Sequence, residues 1–458
     1  MNLQVINPYN QELVYEIRYD DGAMLEKKVD TACQAFEKWR RLPLEVRAQH
    51  VRLGIDSFRA ATKEIAREVS LQMGKPILQA EKEVVTCCER AEYMLSIAAK
   101  TLAPEILPTK EGFHLRIEHV PLGVVLDLAA WNYPLLIPVN VVVPALLAGN
   151  VVLLKHSAKT PRCGAHFETA FGSSEIPGLL TNLVLNHENV AKLLADSRIS
   201  HVAFTGSVEG GHEIYRQAAQ RFIEAGLELG GKDPAYVAED ADLPFAVENV
   251  IDGACYNAGQ SCCAVERVYV HRKLYDEFLD RAKTMLEQYR MGDPLDSSTT
   301  LGPLASRSAL DLLERQVSDA VRGGARLLLG GKQISETRGN FFPPTLLADV
   351  PNDAEVMQEE SFGPIVPVLA VQGDEEAVER MQDTRYGLTA SVWTRDRQRA
   401  ERFALELDAG TIYQNRCDYL DPSLPWTGVA DSGKGTTLSH YGFYALTRRK
   451  GIHFRQQT

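Results

Sequence analysis

GVVLDLAAWNYPLLIPVNVVVPALLAGNVVLLKH, residues 123–156, holds the reading that decides the fold. Residues 123–131 are a short apolar run with paired valines, the signature of a buried strand. A turn at Asn132 and Pro134 follows, then an apolar stretch over 135–149 long enough for a helix, closed by Gly149. A second apolar run, 150–156, ends on Lys155 and His156. Strand, helix, strand in so short a span implies parallel strands with a helical crossover.

The same alternation continues outward. Residues 25–100 read as helices, with Val29, Ala32, Phe36 and Trp39 recurring at helical spacing. "FHLRIEHV" (113–120) reads as one arm of a hairpin. Downstream, helices near 162–172 and over "ENVAKLLAD" (188–196) lead to a strand "HVAFTGS" (201–207), which enters the helix "VEGGHEIYRQAAQ" (208–220). A second α/β run, about 231–430, includes "RLLLGG", "IVPVLAV", "SVWT" and "GTIYQ", and the tail "LTRRKGIHFRQ" reads as an exposed strand. The expected fold class is α/β: a doubly wound parallel sheet, a second α/β lobe and a small β element. No internal repeat or low-complexity linker separates them.

The chain has 458 residues, about three domains at ~150 residues each or one large two-lobed enzyme. At 45% hydrophobic and 24% charged residues it has the composition of a globular protein with ample core. A net charge of −12 disfavours nucleic acid and anionic membranes, while leaving room for a local phosphate pocket. No basic segment followed by an apolar one opens the chain. The greasiest stretch, 135–149, is broken by Asn140 and two prolines and is shorter than the ~20 residues of a membrane span. The expectation is a soluble, cytoplasmic protein. Its eight cysteines form no C-x-x-C pair, so no metal site is expected, and no disulfide framework.

Four features could carry chemistry. "FTGSVEGG" (204–211) puts Gly206 and Gly211 where a strand becomes a helix, a position whose free N–H groups suit a phosphate, although a tight turn would use the same glycines. Lys155 ends an apolar strand, at the edge where open α/β sheets bind nucleotides. Glu228 lies in the otherwise apolar "LELGGKDP" (227–234). Burial there would raise its pKa toward that of a general base, unless backbone N–H groups satisfy it. Asn132 could donate its amide to an oxyanion or merely shape the turn before Pro134. Beside these, "NAGQSCC" (257–263) sets Cys262 and Cys263 after a glycine-rich turn.

Taken in order, "WNYPL" (131–135), "AGNVVLLKHSAKTP" (148–161), "FTGSVEGG", "LELGGKDP", "NAGQSC", "EESFGPIVPV" (359–368), "YGLTASVWT" (386–394) and "AGTIYQN" (409–415) closely resemble the aldehyde dehydrogenase superfamily over nearly the whole chain. The resemblance implies that Cys262 is the nucleophile, that the Asn132 amide and the Cys262 N–H hold the oxyanion, and that Glu228 activates the hydrolytic water. A free thiol near pKa ~8.5 is only slightly ionised at neutral pH, so such a site must activate it.

The resemblance further implies NAD or NADP, with Lys155, Ser157 and Ala158 at the adenosine ribose. Trp131, Gly206, Ser207 and Gly211 would lie near the phosphates, and Glu360 and Phe362 at the nicotinamide half. It implies a substrate tunnel walled by Tyr133, Ile137, Asn140, Tyr256, Ser261, Cys263, Asp418, Leu420 and Trp426. It also implies a dinucleotide-binding domain over 1–103 and 122–230, a catalytic domain over 231–431, and a strand projection over 104–121 and 446–456 that pairs subunits into a homodimer or homotetramer.

The departures are informative. Ala158 stands where NAD-preferring relatives often carry glutamate, and Lys159 is adjacent, so NADP should be accepted. Val141 replaces a lysine common near the base, which leaves the proton route open. "PWTGVADSGKG" (425–435) gives its pocket wall its own shape. Arginines that succinic semialdehyde-specific relatives place at positions 140 and 256 are absent, which argues against that substrate. Aromatic walls and Asp418 favour an apolar, aromatic or amino aldehyde. The alternatives are a succinic semialdehyde type, a coenzyme A-acylating enzyme, a cysteine hydrolase and a non-catalytic binding protein.

Overall fold

The computed structural model describes residues 2–108, 110–334 and 336–456. Met1, Thr109 and Ser335, which fall inside the expected domain ranges, lie outside the described residues.

The segment 123–156 folds as strand Val124–Ala129, helix Leu136–Ala148 and strand Val151–His156. Nearly every residue of that helix is buried, so it shows no amphipathic stripe, and Gly149 ends it in a left-handed conformation (φ 97°). The two strands pair in parallel, with Leu126 beside Leu153 on one side and Val202 on the other. The sheet order is Gly433–Lys434, Ala225–Glu228, Ile199–Thr205, Val124–Ala129, Val151–His156, Leu180–Leu183. Only the two-residue outer strand 433–434 runs antiparallel. The first strand of this sheet in sequence, Val124–Ala129, lies in its middle, and the later strands add on both sides of it. Strand order therefore reverses between Val124–Ala129 and Ile199–Thr205, and a crevice opens at their carboxyl ends.

The second α/β run builds its own seven-stranded sheet around a separate apolar core that includes Val237, Val268, Leu346 and Trp393. Its strands, in order, are Arg326–Leu329, Thr345–Ala348, Ile365–Val371, Val265–His271, Asp233–Val237, Thr389–Trp393 and Thr411–Gln414. All neighbours are parallel except the first pair.

The strand read at 113–120 spans Phe113–Pro121, but its long partner is not a neighbouring hairpin arm. It pairs antiparallel over its whole length with Thr447–Arg455, from the far end of the chain, and only briefly with Glu105–Ile106. Hairpin logic favours the nearest strand; here the local candidate is two residues long and the tail supplies the ladder.

One junction fixes the crevice. Between helices Thr62–Met73 and Ile77–Thr101, the fully buried Lys75 pairs with the buried Glu83. Lys75 Nζ also donates to the carbonyl of Asn132 at 2.9 Å, while Glu83 Oε1 accepts from the N–H groups of Leu135 (2.8 Å) and Leu136 (3.3 Å). The pair thus ties the 131–136 turn to two helices. Lys75→Met should cost about 3–5 kcal/mol in urea unfolding, because Glu83 is left charged and unmatched. Lys75→Met with Glu83→Gln should lose less. A single-variant loss below ~1 kcal/mol would mean that the pair contributes no more than a surface one.

Candidate active site

Helix Leu243–Cys255 ends in a turn, Tyr256–Gly259, in which Asn257 (φ 54°) and Ala258 (φ 56°) are both left-handed. Two such non-glycine residues in succession are strained and persist only where the surroundings hold them. Here the Asn257 N–H donates to Gln79, and its side-chain amide donates to the carbonyls of Asn132 (3.0 Å) and Gln260 (3.1 Å). Gly259 (φ 71°) has no substitute, since a Cβ would lie 2.3 Å from the carbonyl oxygen of Gly363. The turn delivers Cys262, half-buried, into a cavity of about 290 Å³. Buried Ser261 and Cys263 flank it, and both donate to Asp418 Oδ1, at 2.7 and 3.1 Å. The hydrogen bond with the Cys262 side chain, then burial, pushes the Cys263 thiol up.

Asn132 and Glu228 line the same cavity. The Asn132 carbonyl is taken by Lys75 and Asn257; its side-chain amide makes no hydrogen bond among the described residues and so is available as a donor. Glu228 ends its strand beside Thr205 and opposite Gly433. Burial raises its carboxyl to about 6, while the Thr437 hydroxyl, which donates to it, and the charge of Arg90 pull the other way. Asp127, two per cent exposed, has one oxygen without a partner; burial, reinforced by the Glu228 charge, pushes its carboxyl well up.

Several of the residues read as cofactor-binding lie at the carboxyl ends of strands of the first sheet or just beyond them. Lys155, followed by Ser157 and the exposed Ala158, leaves the end of its strand. It makes no hydrogen bond among the described residues, and burial lowers its pKa. Gly206 and Ser207 connect strand Ile199–Thr205 to helix Val208–Ala219, whose first N–H groups have no partner within the helix; the Ser207 hydroxyl accepts from that of Gly210. Gly211 packs this helix on Leu229. These groups suit the phosphates and ribose of a dinucleotide. Trp131 meets Phe362 edge to face at 5.6 Å, and Lys159 sits 5.8 Å above the Trp131 ring. Glu360 accepts from the Gly231 N–H at 3.1 Å; a Cβ on Gly230 would collide with its carboxylate. Burial and then the charge of Glu266 raise Glu360 to about 8.

The wall residues read from sequence converge: Tyr133, Ile137, Asn140, Tyr256, Ser261, Cys263, Asp418, Leu420 and Trp426 all line the Cys262 cavity. The anion considered for an amino aldehyde is already engaged, since Asp418 Oδ1 takes two internal donors and burial raises its pKa. Sequence reasoning missed Thr437, Lys75, Glu83 and, above all, Arg90. Arg90 also lines the cavity, five per cent exposed, beside Asn140. The signal was present: Arg90 follows Cys87 by three residues and precedes Met94 by four, on the buried face of its helix. Among the described residues no helix is long and apolar enough to cross a membrane, and no cluster of His, Cys, Asp and Glu could hold a metal ion.

The chain matches the family model described as "Aldehyde dehydrogenase family" over residues 1–452. It is similar to the succinate-semialdehyde dehydrogenase [NADP(+)] of Deinococcus radiodurans, 35% identical over 97% of this chain and 93% of that protein. It is also similar to the Escherichia coli succinate semialdehyde dehydrogenase [NAD(P)+] Sad, 34% identical over 96% and 95%. Among solved structures it superposes on the Streptococcus pyogenes succinic semialdehyde dehydrogenase in complex with NADP+, with a TM-score of 0.95, 30% identity, and 99% and 100% coverage. With the family model matched over almost the whole chain, and relatives about one third identical over nearly their full length, the chain belongs to the aldehyde dehydrogenase family.

Proposed function

We propose that this NAD(P)-dependent aldehyde dehydrogenase works through Cys262, Asn132 and Glu228, by acylation of the thiol and hydrolysis of the thioester. The observation that carries this reading is that these three side chains, distant in sequence, line one cavity. The Cys262 sulfur attacks the aldehyde carbon; the Asn132 amide and the Cys262 N–H receive the oxyanion as the thiohemiacetal forms. What nicotinamide supplies when bound is acceptance of a hydride, which leaves the adduct as a thioester on Cys262. Glu228 then takes a proton from water, and the hydroxide formed releases the carboxylic acid. Lys155, Ser157, Ala158, Gly206, Ser207 and Gly211 would hold the adenosine and phosphates; Trp131, Glu360 and Phe362 would hold the other half.

The first sheet with its core serves as the cofactor lobe (1–103 and 122–230), and the second as the catalytic lobe (231–431). The sheet of Phe113–Pro121 and Thr447–Arg455 leaves Ile106 and Phe454 exposed, which supports pairing between subunits of a homodimer or homotetramer. The acidic composition, with a net charge of −12, supports a cytoplasmic location. The activities for which the relatives are named favour a carboxylate-bearing aldehyde over an apolar or aromatic one.

Purified protein, NAD or NADP and a panel of aldehydes test the reading by reduced-nicotinamide absorbance. Cys262→Ala should abolish turnover; a requirement for coenzyme A would replace hydrolysis by acyl transfer. Glu228→Gln should keep a pre-steady-state burst while losing about 10²–10⁴ in steady-state turnover. Because Glu228 must be ionised, wild-type hydrolysis should fall about tenfold per unit below pH ~6 and level off above it. A pH profile flat from 5 to 8 in the deacylation-limited regime would refute that assignment. Ala158→Glu should lower kcat/KM for NADP by roughly tenfold or more relative to NAD, through repulsion of the 2′-phosphate.

A further inference from the structure

We propose that Arg90 forms an anion-binding subsite in the tunnel, one that holds a carboxylate at the end of the aldehyde remote from the carbonyl. The inference deepens the Cys262 reading and rests on it. It names the substrate class as short semialdehydes.

Arg90 projects from helix Ile77–Thr101 and is five per cent exposed. Buried arginines are paired as a rule, because an unmatched charge out of water is costly. Yet among the described residues no carboxylate lies within 4.0 Å of its guanidinium. Its hydrogen bonds run from Nη1 alone, to the Leu136 carbonyl and Asn140 Oδ1, both at 3.4 Å and both neutral. Nε is buried without a partner.

The carboxylates that share the cavity have other commitments. Glu83 belongs to Lys75, Asp418 accepts from Ser261 and Cys263, and Glu228 accepts from Thr437. Asp252, at the rim, is exposed and forms no ion pair with Arg90. Lys82 and Arg416 also line the chamber but are exposed, so among the described residues Arg90 is the buried cation there, close enough for its charge to lower the Glu228 carboxyl yet in ion-pair contact with no carboxylate. A substrate carboxylate completes the pair with a charge-assisted hydrogen bond. A guanidinium suits the role, since it stays protonated even when desolvated.

The test compares succinic semialdehyde with butanal, which differ by a terminal carboxylate against a methyl group, in the wild type, Arg90→Met and Arg90→Lys. The wild type should prefer the semialdehyde. In Arg90→Met the ratio of the two kcat/KM values should fall about 10- to 100-fold, mainly through KM for the semialdehyde, the factor expected of one charge-assisted bond. Arg90→Lys should recover part of it. Succinate should inhibit wild-type butanal oxidation competitively, a readout that needs no variant to fold. Equal loss on both substrates, or a ratio within about twofold of wild type, overturns the proposal and makes Arg90 a neighbour of Glu228 only. Undiminished turnover in Cys262→Ala would instead refute the nucleophile, whatever the Arg90 variants do.

Discussion

The carbonyl oxygen of Asn132 is the point on which the active centre depends. It accepts from Lys75 Nζ at 2.9 Å and from the Asn257 amide at 3.0 Å, so one acceptor joins a helix junction, the turn after the first strand and the cysteine turn. Behind it stands the Lys75–Glu83 pair, both side chains all but inaccessible. Such a pair is expensive to desolvate and is stable only when its remaining donors and acceptors are satisfied. Glu83 meets that condition through the N–H groups of Leu135 and Leu136. With its backbone clamped, the Asn132 side chain keeps its donor free, and the left-handed residues 257–259 have something rigid to be strained against.

The same chamber separates its carboxyl groups by environment. Glu228, raised to about 6 by burial and moderated by Thr437 and Arg90, is ionised at neutral pH yet basic enough to accept a proton. Asp418 is absorbed into a network with Ser261 and Cys263, so it shapes the wall beside the cysteine. Arg90 is the complement of this arrangement, a buried positive charge that forms no ion pair among the described residues although Glu228 feels its field. The long Ile77–Thr101 helix, which carries Glu83, Arg90 and Cys87 on its buried face, thus orders the turn at one point and charges the tunnel at another.

Much of this was legible in the chain. The apolar runs at 124–129 and 151–156, the helix between them and the strand-to-helix turn at 205–208 were readable, because burial on both faces leaves continuous hydrophobic signatures. Cys262, Glu228 and Asn132 stood out because each is a reactive or polar residue inside a recognisable local motif. The hairpin reading of 113–120 holds only for the short pairing with Glu105–Ile106; a strand's sequence specifies its faces but not its partner, and the long ladder is formed with residues 447–455.

By itself, then, the sequence determined the α/β class and the succession of strands and helices, which are encoded within windows of a few residues, and it offered Cys262, Glu228 and Asn132 as candidates through motifs of the same length. Only the tertiary structure decided which groups meet. Lys75 reaches Asn132 across 57 positions, Thr437 reaches Glu228 across 209, and Ser261 reaches Asp418 across 157. It also decided which charge is left without a partner. Pairing depends on the positions of every neighbouring side chain at once, and no local pattern around Arg90 contains that information.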